Sequence, residues 1–86
     1  MYSRVAVVAI IVEDRNSVDG VNAILHEYGT YIIGRMGIPY RDKGINLISV
    51  AIDAPQDIIN ALSGKVGRLK GVGAKTVLSH VVSHQE

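Results

Sequence analysis

The sequence predicts an α+β domain built in the order β-α-β-β-α-β, on three observations. The stretch Thr30–Pro55, TYIIGRMGIPYRDKGINLISVAIDAP, joins two short apolar runs through a glycine-punctuated basic loop, the pattern of a β-hairpin. Val5–Val12 and Gly73–Leu78 read as a first and a last strand. Between each of these and the hairpin, apolar residues recur at spacings of three and four, the period of an amphipathic helix. That order fits a ferredoxin-like sandwich, a four-stranded antiparallel sheet with two helices on one face. The fold hosts binding modules, regulators and some enzymes, so function has to be read from the residues themselves.

Strand one, Val5–Val12, is uncharged but too short to cross a bilayer. It runs straight into Glu13-Asp14-Arg15-Asn16, and with only Arg4 before it and no small-residue cleavage site after it, it does not read as a signal peptide. The first helix is predicted near Ser17–Tyr28. Asn16 or Ser17 is placed to accept a hydrogen bond from a first-turn amide, and Asp19 suits the positive end of the helix dipole. Val18, Val21, Leu25 and Tyr28 form its apolar stripe, Ile24 widens it, and Gly29 supplies the stop. Gly20 inside the helix costs roughly 1 kcal/mol relative to alanine, which implies either close packing against a strand or a late helix start.

The second helix is predicted over Pro55–Lys65, with proline in the turn that tolerates its missing N–H and Ile58, Ile59, Leu62 and Val66 on one face. Gly64 or Gly67 is expected to end it. Residues 79–86 either extend the last strand or fray as a tail, and the whole of 1–86 reads as one domain.

Composition sets further limits. A chain of 86 residues forms one small domain, which buries roughly 60–65 % of its unfolded-chain surface. There is no cysteine, so disulfides, thiolate metal sites and cysteine nucleophiles are excluded, and a cytoplasmic protein is the default. Nine Lys and Arg against eight Asp and Glu leave a formal charge of +1, which does not fit a protein that coats nucleic acid or a membrane. Strand one is apolar on both faces, Val5, Val7, Ala9 and Ile11 alternating with Ala6, Val8, Ile10 and Val12. Helices on one side leave the other face uncovered, and the simplest cover is another copy of the chain, giving a homo-oligomer, a dimer or higher.

Several blocks carry a family resemblance. The hairpin Tyr31-Ile32-Ile33-Gly34-Arg35-Met36-Gly37-Ile38-Pro39-Tyr40, its return strand Lys43–Ser49, the block Asp53-Ala54-Pro55 and the glycine-spaced Gly64–Val72 resemble the iron-only hydrogenase system regulators. The resemblance spans roughly Val5 to Leu78. It implies a ferredoxin-like, oligomeric domain similar to amino-acid-binding ACT domains and to the effector domain of nickel-responsive repressors. It also implies a transcriptional regulatory role in a hydrogenase system, with no catalytic residues.

In ACT-like domains small ligands are held where strand one meets helix one, so the resemblance implies effector contacts at Asp14, Arg15, Asn16 and Ser17. The glycine that usually follows the Asp-Arg pair is missing, and a plain helix-capping turn needs the same polar residues. Arg35, Arg41 and Lys43, with Tyr40 among them, are candidate anion contacts, although a solvated hairpin tip has the same composition. The central strands lack the aromatics that RNA-binding versions of the fold stack bases on, and no helix-turn-helix pattern is present, so direct nucleic-acid binding is not expected. Gly64–Gly73 follows a helix and lacks a Gly-Lys-Ser/Thr ending, so it does not read as a phosphate loop. His26, His80 and His84 form no recognisable metal motif, and no cofactor is expected. No nucleophile or acid–base pair can be assembled, so a non-enzymatic regulatory module that senses a small effector is the preferred reading. A structural interaction module for metalloenzyme assembly is the alternative.

Overall fold

The structure, a computed structural model, describes residues 2–84 and the side chains as far as Val81. The chain forms β1 (Tyr2–Val12), a 3-10 turn (Arg15–Ser17), α1 (Val18–Glu27), a second 3-10 turn (Gly29–Tyr31), β2 (Ile32–Tyr40), a third (Arg41–Lys43), β3 (Ile45–Ala54), α2 (Gln56–Gly67) and β4 (Val72–His84). The strands make one antiparallel sheet in the order β2-β3-β1-β4. This is the ferredoxin-like α+β sandwich that the sequence predicts. Both helices fall within two residues of their expected ends. The last strand runs on to His84, so the 79–84 part of the expected tail extends the sheet, and residues 85 and 86 lie outside the described residues.

The two apolar faces of β1 have different fates. Ala6, Val8, Ile10 and Val12 are buried to within 1 % and meet Val21 and Leu25 of α1 and Ile59, Leu62 and Val66 of α2. The inward residues of β3, from Ile48 to Ala54, complete this core. Truncating a fully buried leucine such as Leu62 to alanine costs about 2–5 kcal/mol. Val7, Ala9 and Ile11 of β1 point the other way, where no helix lies: Val7 is 42 % and Ile11 47 % exposed.

Gly20 fits the close-packing expectation, but the neighbour is not a strand. A Cβ there would stand 3.3 Å from both methyl carbons of Leu69, in the turn between α2 and β4. The helices are also tied at their surface, where Lys65 Nζ lies 2.8 Å from Glu27 Oε2 and 5.1 Å from the centre of the Tyr28 ring. At the sheet's edge, β2 carries an extra residue, Ile33, that interrupts its register with β3 between Ile32 and Gly34, and Pro39 opposite Asn46.

Candidate functional site

The turn from β1 into α1 is held by the turn from α2 into β4. Glu13 N–H donates to the Gly71 carbonyl at 2.7 Å, and the Ser17 hydroxyl donates to the Lys70 carbonyl at 2.6 Å. Gly71 has φ +69, and a Cβ on it would fall 2.7 Å from Asp14 Cβ and 3.0 Å from Asp14 N. The glycine-spaced segment therefore serves a tight strand entry.

Helix capping departs from the expectation for Asn16 and Ser17. Ser17 stands at the N-cap of α1 but makes no side-chain cap bond. The capping carboxylate is Asp14, whose Oδ1 accepts the Asn16 N–H at 2.9 Å. The physical reason is the 3-10 turn inserted before the helix. It moves the first unpaired amides back toward Asp14 and turns Ser17 inward, where the Lys70 carbonyl needs a donor. Of the four residues at this turn, Asp14 and Ser17 thus hold backbone, while Arg15 and Asn16 are exposed.

Arg15 faces the hairpin tip. A surface cavity of about 210 Å³ lies between them, lined by Arg15, Pro39, Tyr40, Arg41, Gly44 and Asn46 among others. Asn46 pairs with Val12, whose side chain is fully buried against the helices, so Asn46 lies on the helix side of the sheet, at an end the helices do not cover. Gly44, at φ 65, closes the turn that carries Arg41 and donates its N–H to the Arg41 carbonyl at 3.2 Å. Among the described residues neither the Arg15 nor the Arg41 guanidinium has a hydrogen-bond or ion-pair partner.

The other candidate cations stand apart from this cleft. Arg35 Nη2 donates to Asn22 Oδ1 at 2.9 Å and ties β2 to α1, and Lys43 is exposed in the turn without lining the cavity. On the opposite face, two shallow hollows flank Ile11. One is edged by Met36, Ile38 and Leu47 and the other by Gly73 and Lys75, with volumes of about 200 and 260 Å³. His26 and His80 are exposed, and the His84 side chain lies outside the described residues. Among the described residues no group of three or more metal-binding side chains is gathered, and no helix is long and apolar enough to cross a membrane.

The profile of a family described as "Iron-only hydrogenase system regulator, putative", TM1266-like, matches residues 4–76. The chain belongs to this family. Among solved structures, the uncharacterized protein TM1266 from Thermotoga maritima is 34 % identical, with a TM-score of 0.85 over 88 % of this chain and 96 % of that one. A formyltetrahydrofolate deformylase from Pseudomonas putida (15 % identity, TM-score 0.61, 84 % of this chain but 28 % of that one) shares the fold alone. The same holds for an unknown protein from Galdieria sulphuraria, at 17 % identity and TM-score 0.61 over 98 % of this chain and 48 % of that one. None of the curated proteins matches the chain.

In this member of the regulator family, sequence reasoning kept Arg15 and Arg41 in separate sites, whereas the structure places them on one cavity. The signal was topological. β1 and β2 run parallel on either side of β3, so the segments leaving their C-terminal ends emerge at the same end of the sheet. Asn46, the second residue of β3, gives no such signal, since a polar residue near the start of a strand is unremarkable until its neighbours are known.

Proposed function

We propose that the chain is a non-catalytic regulatory module of an iron-only hydrogenase system, working as a homo-oligomer joined through the open face of its sheet and responding to a small effector. The observation that carries this reading is the uncovered apolar face. Val7, Ile11, Met36, Ile38, Leu47 and Val77 are 36 to 69 % exposed, and by register they share the side of the sheet away from the helices. Covering such surface yields roughly 25 cal/mol per Å², and a domain of this size gains from it.

The charges on that face favour a second copy as the cover. Lys75 pairs with Ala9, two residues past Val7 on the β4 side, and Asp53 pairs with Val5, two residues before Val7 on the β3 side. They sit at opposite corners about Val7. A two-fold axis between stacked sheets, crossing over Val7 at right angles to the line joining the charges, lays each lysine over the partner's Asp53, the self-complementary pattern that an isologous dimer requires. Membership of the regulator family supports the regulatory role. The net charge of +1 supports a DNA-binding partner, and not this chain, as the carrier of any transcriptional effect.

Sedimentation velocity across a range of concentrations tests the assembly. The wild type is expected to associate, Val7→Lys to give a folded monomer, and Val8→Lys, at a fully buried position, to unfold. A wild type that stays monomeric at high concentration refutes the reading. Association with no ligand-dependent rise in Tm leaves the structural assembly module as the better description.

A further inference from the structure

We infer that the cleft between the β1–α1 turn and the β2–β3 turn is a binding site for a small dianion, a dicarboxylate or a phosphate monoester, held between the guanidinium groups of Arg15 and Arg41. This gives the effector of the regulatory reading a chemical class and rests on that part of it; self-association is independent.

Two like charges on the wall of one cavity repel each other, and among the described residues neither guanidinium has an ion-pair partner. Of the acids nearest in sequence, Glu13, Asp14 and Asp42, none lines the cleft or forms an ion pair with either arginine. An anion between the two arginines removes the repulsion and uses the planar donor fork of each, which matches the paired oxygens of a carboxylate or phosphate. Asn46, half-buried on the same wall, adds a neutral side-chain amide as a further polar group. Pro39 and Tyr40 supply an apolar flank for a short carbon skeleton.

Both walls are built before any ligand arrives. The Arg15 turn is pinned by the Glu13–Gly71 and Ser17–Lys70 hydrogen bonds, and the Arg41 turn by Gly44 in its left-handed conformation. Ligand binding then orders few groups beyond the two arginine side chains, which lowers its entropic cost. The volume, about 210 Å³, is below the range of roughly 300–1,000 Å³ typical of drug-sized ligands, and so selects a ligand of a few heavy atoms. The cleft sits at the end of the sheet, with Pro39 and Asn46 on the helix side and Tyr40 and Ile45 on the side of Leu47, and its lining contains none of Val7, Ile11, Met36, Ile38, Leu47 and Val77 of the open apolar face.

The test is an amide NMR titration with malonate and, separately, inorganic phosphate, against sodium chloride at equal ionic strength. Saturable shifts at Arg15, Gly44 and Asn46 are expected with at least one probe, and the probe that saturates identifies the oxyanion class. Arg15→Ala and Arg41→Ala, at exposed positions without partners among the described residues, are each expected to weaken binding by about tenfold or more, as loss of a charged hydrogen bond does. Lys43→Ala and Arg35→Ala are expected to change it by less than about threefold. Shifts that chloride reproduces, or saturable binding indifferent to both arginine substitutions, overturn the site. Sedimentation of the same variants separates the two ideas. A monomeric wild type that still saturates with anion refutes only the assembly, and an oligomer that binds neither probe refutes only the site.

Discussion

Gly71 packs against Asp14 so closely that a single added carbon on the glycine would overlap the aspartate, at 2.7 Å from its Cβ. One contact thereby fixes the position of the turn that carries Arg15 by way of the turn that leads into the last strand. Gly71→Ala combines this overlap with a positive φ that alanine adopts at a penalty, and is expected to destabilise the domain by at least about 2 kcal/mol. Gly73→Ala, with open space around it and no positive φ, is the control. Urea denaturation compares the two, and a Gly71→Ala protein as stable as wild type would show that the turns adjust freely.

Ser17→Ala removes the donor to the Lys70 carbonyl while leaving the N-cap position of α1 filled. Since the hydroxyl makes no cap bond, the expected loss of about 1–2 kcal/mol reports the tie between the two turns and not helix capping. Ser17→Asp, which restores a capping side chain, is accordingly expected to be no better than alanine. Recovery of full stability by aspartate would assign the serine to the helix after all.

Lys75→Glu places a carboxylate opposite the partner's Asp53 in the two-fold arrangement. It is expected to weaken self-association by about tenfold while leaving the monomer's Tm unchanged, because Lys75 is exposed on an edge strand. Raising the salt concentration should narrow the difference between the two proteins. Unaltered association would place the two-fold axis elsewhere on the face.

The Lys65–Glu27 pair makes a pH-dependent link between the helices. The hydrogen bond that the Lys65 ammonium donates to Glu27, and then the one to Tyr28, hold it above its ordinary value of 10.5. A raised folded-state value means that the contribution is fully present below pH 10.5 and disappears as pH rises through the folded value. A double-mutant cycle with Lys65→Met and Glu27→Gln should show coupling near neutrality that fades in alkali. Coupling that persists unchanged there would locate it in packing.

Much of this was open to reading in the sequence because the pattern was redundant. Apolar residues on both faces of Val5–Val12 indicated a central strand with something on each side, and the helical stripes of Val21 and Leu25 and of Ile59, Leu62 and Val66 indicated what lay on one side. Which of Val7 and Val8 meets the helices was not legible, since two identical neighbouring residues carry no preference and the parity is set by the register of the whole sheet. The 3-10 turn was hidden for a similar reason. Asp14, Asn16 and Ser17 are all competent caps, and only the position of the Lys70 carbonyl decides that Ser17 turns inward. The cleft required tertiary information, because its two arginines are separated by α1 and β2.

The two margins of the sheet are unequal. β4 is the longer, and its step of four residues from Leu78 to Val82 faces a step of two in β1, while β2 carries the extra Ile33 and a proline with no N–H at position 39. Ladder growth from molecule to molecule in a head-to-tail series needs both margins to accept a neighbouring strand, and β2 offers an interrupted one. A chain this rich in exposed aliphatic strand thus carries, in the irregularities of its two edge strands and one imino acid, a brake on fibre formation.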